Sequence, residues 1–135
     1  SEFFEEHRRD YYELLRGVSE KQDWISWIQF FLTALAAQAK KTEEMGKEIL
    51  KLHQKYKEKI TEINSIYAIN LLDAVFVRPI FTTASMRSHV KIKNTQTFFN
   101  LIGKFVKAGV LKEVNPQKKR NRVYIFTELI ALLNK

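Results

Sequence analysis

A chain of 135 residues with 45% apolar and 13% aromatic side chains has material for one domain, or for a small domain with a helical extension, and is too apolar to stay disordered. Four glycines and two prolines are too few for a sandwich or barrel with many tight turns, and the absence of cysteine excludes disulfides and thiolate metal sites. The net charge of +8 is unevenly spread: residues 1–79 hold 12 Lys and Arg against 13 Asp and Glu, a balance of −1, whereas residues 80–135 hold 11 against 2, a balance of +9. Such a segment makes a directional positive field suited to a polyanion.

Phe4, His7, Tyr11 and Leu14 recur three or four apart, which predicts an amphipathic helix over residues 3–16, ended by Gly17. Residues 18–22 then make a connection, and Asp23 caps the next helix by accepting from its free amides. Trp24, Trp27, Phe31 and Leu35 form one stripe of that helix, with Ile25, Ile28, Leu32, Ala36 and Ala39 beside it. More than half its circumference is therefore apolar, as expected of a helix buried on several sides. Thr42 is the expected cap of a third helix. In it Met45, Ile49, Leu52, Tyr56, Ile60, Ile63 and Tyr67 make a near-heptad seam, for packing onto the preceding helices or onto another chain. A break is expected within residues 60–66. A further helix over about 65–77 would bury Ile66, Ile69, Leu72 and Phe76, and Pro79 prevents its continuation.

The rest of the chain alternates helix and strand signals. Residues 80–82 read as a one-bridge strand, and Thr83 as the cap of a short helix reaching His89. Residues 90–93 form a turn, and Asn94 caps a helix that buries Phe98, Leu101, Ile102 and Phe105. Gly109 supplies the left-handed residue that ends it. Residues 110–114 and 122–126 pair as an antiparallel hairpin around a basic turn at 115–121. Thr127 caps a closing helix that buries Leu129, Ile130, Leu132 and Leu133.

This order specifies a mainly α fold: an N-terminal helical bundle over residues 1–63, then a winged helix-turn-helix domain over 64–135 with a small antiparallel β-hairpin. In such domains the second helix of the turn enters the major groove and the hairpin touches the backbone. On the helix after Asn94, Thr97, Asn100, Lys104 and Lys107 share one exposed side, and Thr95 and Gln96 stand at its start. Amides and hydroxyls there can read base edges and lysines can hold phosphates, but this face has no arginine, the commonest specific reader of guanine. Lys118, Lys119, Arg120 and Arg122 crowd the hairpin turn. Their mutual repulsion is tolerable at a screened surface and becomes favourable beside phosphates. The bland alternative is a solvated face and a solubilising tip.

The three histidines, at 7, 53 and 89, have no second histidine or carboxylate cluster at ligand spacing, so no metal site is expected. The four glycines are isolated and make no phosphate loop, and catalysis by this chain alone is not expected. No apolar run has the length of a membrane span, and the first residues lack the order of a signal peptide. A cytoplasmic location and no membrane partner are the corresponding expectations.

The run Ser1-Glu2-Phe3-Phe4-Glu5-Glu6-His7-Arg8-Arg9-Asp10-Tyr11-Tyr12-Glu13-Leu14-Leu15 resembles the segment just after the catalytic core of Fic-family proteins. Asp23-Trp24-Ile25-Ser26-Trp27-Ile28-Gln29-Phe30-Phe31-Leu32 does so too, and Phe76-Val77-Arg78-Pro79-Ile80-Phe81-Thr82 is similar to the entry to their C-terminal winged helix. The similarity covers essentially the whole chain. It implies a parent protein adenylyltransferase that moves AMP from ATP, with magnesium, onto a hydroxyl of a target protein. That activity belongs to a motif H-x-F-x-D/E-G-N-G-R-x-x-R, whose histidine is the base, whose acid holds the metal and whose remainder holds the phosphates. The motif is absent here: His7 precedes Arg-Arg-Asp, His53 precedes Gln-Lys-Tyr and His89 precedes Val-Lys-Ile. The family's inhibitory helix pattern fails at Glu6, where Gly or Asn is required. No catalytic residue, cofactor site or inhibitory residue is carried over, and ATP and magnesium are implied only for a catalytic domain outside this sequence. The expected role is therefore a non-catalytic C-terminal fragment whose winged helix binds nucleic acid or regulates. The alternatives are a protein-docking or oligomerisation module, and a stand-alone winged-helix regulator. Expected partners are double-stranded DNA, the parent's catalytic domain, and a second copy through the N-terminal helices.

Overall fold

A computed structural model describes residues 2–117 and 119–135. It is mainly helical, with a small three-stranded antiparallel sheet. Two compact units divide the chain, residues 1–47 and 48–135, and one long helix contributes to both.

The first unit holds α1 (Glu2–Glu6), α2 (Arg8–Lys21) and the start of α3 (Trp24–Ile60). Backbone bonds from His7 to Phe3 and from Tyr11 to His7 carry the chain from α1 into α2, as the predicted helix over 3–16 requires. Gly17 does not end that helix. The helix runs on to Lys21, and Gln22 closes it in a left-handed conformation at φ 54°. Gln22 donates to the Val18 carbonyl and Asp23 to the Gly17 carbonyl, so the last orphan acceptors are satisfied five residues later than expected. Asp23 caps α3 as predicted, its Oδ1 accepting from the Ser26 amide at 3.2 Å.

Thr42 caps nothing. It lies inside α3 and its hydroxyl donates to the Gln38 carbonyl at 2.9 Å, as Thr33 does to Gln29 at 2.8 Å. A threonine satisfied on its own preceding turn gives the backbone no reason to leave the helix, and the surrounding Ala, Gln, Lys and Glu favour helix. The two expected helices are therefore one of 37 residues. Its apolar start is also not buried on several sides: Trp24, Ile25, Ile28, Phe31, Leu32 and Leu35 are exposed. The inner side is an aromatic cluster in which Phe30 meets Phe3 and Phe4, and Trp27 meets Tyr11, at ring separations of 5.5–5.8 Å.

In the second unit α3 buries Leu52, Tyr56 and Ile60, so the middle of the seam packs within its own chain. The helix stops at Ile60, inside the interval expected to break. Residues 61–67 form turns, in which Ser65 accepts from the amides of Tyr67 and Ala68. Consequently α4 (Ala68–Val77) begins later than predicted, and Ile66 lies on the turn with 82% of its surface exposed. The face that α4 buries is Leu71, Leu72 and Val75, with Ile69 and Phe76 half-buried.

Strand β1 (Ile80–Thr82) pairs antiparallel with β3 (Val123–Ile125), which also pairs with β2 (Lys112–Glu113), giving the order β1-β3-β2. Three residue pairs join β1 to β3, more than the single bridge predicted. The strands β2 and β3 are shorter than the predicted hairpin. The amides of Val110 and Leu111 return to the Phe105 carbonyl, and that of Phe126 goes to Pro79 at 2.7 Å, so these donors leave the β2–β3 ladder.

Helix α5 (Thr83–His89) is capped by Thr82, not Thr83. Thr82 has the extended backbone that a cap needs and exchanges reciprocal bonds with Ser85, each 3.2 Å, whereas Thr83 is buried and its amide donates to Arg122. Asn94 caps α6 (Thr95–Lys107) through the Thr97 amide at 3.0 Å, and Phe98, Leu101, Ile102 and Phe105 are buried as predicted. Gly109 has φ +79°. Thr127 is the first residue of α7 (Thr127–Leu133) instead of its cap, a position held by Phe126 without a side-chain bond. That helix buries Leu129 and Leu132, but Ile130 is half-buried and Leu133 exposed, because a seven-residue helix turns only one side to the core.

Phe126 is fully buried and meets Tyr56 of α3 and Phe76 of α4 edge-on, at 4.9 and 5.2 Å. Phe126→Ala is expected to destabilise the second unit by about 3–5 kcal/mol, the usual cost of an aromatic-sized cavity. Denaturant unfolding followed by circular dichroism measures this, and a loss below about 1 kcal/mol would show that α3 and α4 do not converge on this ring.

Candidate nucleic-acid interface

Helix α6 has a continuous apolar side sunk into the second unit, which leaves its opposite side to solvent. Thr95, Gln96, Asn100, Lys104 and Lys107 are exposed there, and Thr97 is half-buried. The Gln96 amide donates to Asn100 Oδ1 at 2.8 Å, so these two groups satisfy each other across one helical turn. Lys91 and Lys93, exposed in the turn before Asn94, add positive charge that the sequence reading treated only as connection.

Between β2 and β3 the predicted basic residues divide into different roles. Lys119 and Arg120 are exposed, and Lys118 lies outside the described residues. Arg122 is half-buried, with its Nε 3.4 Å from Glu113 Oε1 across the β2–β3 pair. That oxygen is buried without a well-aligned hydrogen bond, so its attraction to Arg122 is ionic. Arg122 thus holds the base of the turn. Its neighbour Asn121 adopts a left-handed conformation at φ 48°, and its Oδ1 accepts from the Ala84 amide at 3.3 Å. Together with the Arg122 carbonyl, which accepts from Thr83 at 3.0 Å, this clamps the end of the basic turn to the start of α5. Sequence reasoning missed Asn121. The available signal was an asparagine within a basic turn, since Asn tolerates the left-handed region and bonds backbone amides readily.

Residues 80–135 contain only two carboxylates, Glu113 and Glu128, and both are engaged. Glu128 accepts from Lys55 at 2.7 Å and from the Tyr56 hydroxyl. The Lys55 bond, then the Tyr56 bond, hold its carboxyl below the usual carboxylate range. Burial, reinforced by Glu128, pushes the Tyr56 phenol well above its ordinary value. Lys55 and Lys59 also stand 5.4 and 5.6 Å from the Tyr56 ring centre, near enough for cation–π attraction. With both acids occupied elsewhere, no carboxylate lies against Lys104, Lys107, Lys119 or Arg120 among the described residues. Their field is not cancelled locally.

Among the described residues no group of three or more His, Asp or Glu is placed to hold a metal. His7 bonds the Phe3 carbonyl at 3.0 Å, His53 pairs with Asp73 at 2.7 Å against the edge of Phe76, and His89 is exposed. No helix among the described residues is long and apolar enough to cross a membrane. No model of a known protein family matches the chain.

Two outcomes follow from the clamps. Asn121→Ala is expected to lose about 1 kcal/mol, through the Ala84 bond and the strain of a left-handed alanine, and Asn121→Gly less, as read by thermal unfolding. Tyr56 keeps its proton in the folded chain at pH values where the unfolded chain, with a phenol near pKa ~10, has lost it. The unfolded state then binds fewer protons, so stability falls as pH rises above ~10 and is fully present below it. Tyr56→Phe should flatten that alkaline decline in a pH series of denaturant titrations, and an unchanged slope would place the phenol in water.

Proposed function

We propose that residues 64–135 form a winged helix-turn-helix domain that holds the phosphate backbone of duplex DNA with α6 and with the basic turn between β2 and β3. The element order α4, β1, α5, α6, β2, β3 supports this assignment, as does a polar, exposed α6 that follows α5 after a short turn. The observation that carries the binding reading is the fate of the two acids. Glu113 and Glu128 are each occupied by a basic partner, which leaves Lys104, Lys107, Lys119 and Arg120 without a competing carboxylate.

The reading is of backbone binding with weak sequence preference. An α6 face without arginine, whose Gln96 and Asn100 amides are bonded to each other, has few groups ready to read bases. On the resemblance of residues 1–15, 23–32 and 76–82, the chain would be the non-catalytic C-terminal part of a Fic-like protein AMP-transferase. The domain would then serve that enzyme as a nucleic-acid-binding or regulatory module, with ATP and magnesium handled by another part of the parent.

Fluorescence anisotropy with labelled duplex DNA over a salt series tests the proposal. Affinity should fall steeply with salt, and replacing Lys118, Lys119 and Arg120 together with alanine should lower the magnitude of the log–log slope by about 2–3, one near-unit step per lost phosphate contact. Unrelated duplexes should bind within about tenfold of one another, well under the specificity ratio of a sequence-reading protein. Absence of salt-dependent binding at low ionic strength would leave the face as a docking surface for an acidic protein.

A further inference from the structure

The first unit has an incomplete interior. Among the described residues of 1–47, Ala34 alone is buried, although this stretch carries both tryptophans and much of the aromatic content of the chain. Trp27, Phe30 and Ala34 face the aromatic cluster of α1 and α2. On another side of α3, Ile25, Ile28, Leu32 and Leu35 follow at steps of three, four and three, the a and d spacing of a coiled-coil seam. All four are exposed, and Trp24 and Phe31 flank them at equivalent positions seven residues apart. The seam predicted from the sequence lay at 45–67, but its middle is consumed within its own chain, whereas this one is unpartnered.

We propose that this face of α3 is an interface with a second copy of the same chain, the two α3 helices packing antiparallel across a two-fold axis near residue 30. In that register Ile25 faces Leu35 of the second copy and Ile28 faces Leu32, which makes four apolar layers from four residues. The area fits. The six exposed side chains are each between 47% and 72% exposed. At roughly 150–250 Å² for a fully exposed large side chain they present on the order of 600–700 Å², close to the ~800 Å² per partner of a standard stable interface. No charged residue lies between positions 24 and 39, so pairing desolvates no ion. The antiparallel sense opposes the two helix dipoles and keeps Lys40, Lys41 and Asp23 away from their own copies, which a parallel pair would place side by side. This interface belongs to residues 1–47 and is independent of whether the second unit binds DNA.

Sedimentation velocity on the whole chain over a concentration series tests it. A dimer is expected, and Leu32→Lys should weaken it at least about a hundredfold, the cost of putting an unpaired ammonium into an apolar layer. Because Leu32 is exposed within its own chain, the variant should keep its helix content by circular dichroism. The chain lacks cysteine, so single-cysteine variants report the sense of the pair. A mixture of Ile25→Cys and Leu35→Cys should form a disulfide-linked heterodimer on oxidation. Ile25→Cys alone should not cross-link, its two copies lying about 15 Å apart along the axis. A monomer at all concentrations, a dimer indifferent to Leu32→Lys, or efficient self-linking of Ile25→Cys would each overturn the proposal.

Discussion

The ring of Phe126 meets Tyr56 and Phe76 edge-on, and the rest of the second unit is arranged around that meeting. These three residues come from β3's end, α3 and α4, so one buried aromatic joins segments separated by up to seventy residues. Its amide donates to the Pro79 carbonyl at 2.7 Å, which fixes the entry of β1 beside β3. With β3 fixed, β2 follows as its other neighbour, and the ends of the basic turn are placed. An aromatic triad of this kind combines large buried area with preferred edge-on geometry, and so sets position as well as stability.

Electrostatics in the second unit is organised by removal. The Glu128 carboxylate is taken up by Lys55 and Tyr56, and Glu113 sits against Arg122. The Lys55–Glu128 pair, with both side chains well exposed, contributes little to stability, whereas Glu113 is largely buried beside Arg122. What they accomplish is positional: the few negative charges of a basic segment are fixed away from Lys104, Lys107, Lys119 and Arg120. Arg122 is the instructive case, because its place in a run of basic residues suggests phosphate contact, while its half-buried position beside Glu113 makes it part of the hairpin's frame.

The two units differ in how completely they bury their apolar surface. Residues 48–135 enclose Phe98, Phe105, Phe126, Leu71, Leu72 and Met86 with almost no exposure. Residues 1–47 stack aromatic rings on one side of α3 and leave the other side wet. A helix that apolar is expected to be buried on several sides, and among the described residues nothing covers this side of it. The same periodicity that misled the reading of α3 as an internal helix is what makes it suited to pairing.

Local signals were legible in the sequence wherever the deciding interaction spans a few residues. Asn94 as the cap of α6, its buried Phe98, Leu101, Ile102 and Phe105, the left-handed Gly109, Asp23 at the head of α3 and the break after Ile60 all follow from capping, periodicity and glycine geometry. Charge segregation needs only counting. Local rules also had near misses: Thr82 and Thr83 are equally good caps by type, and which one acts depended on the Arg122 carbonyl taking the Thr83 amide. Thr42 and Gly17 read as boundaries because their types favour ends, but a hydroxyl can bond its own helix and a glycine can be carried within one. The candidate face of α6 was likewise readable from spacing, whereas the roles of Asn121, Arg122 and Glu128 were not. Their partners, Ala84, Glu113 and Lys55, lie from nine to seventy-three residues away. Hydrogen bonds and ion pairs across that distance exist only after the chain has closed its loops, so only the tertiary structure decided which basic residues support the turn and which of them face water.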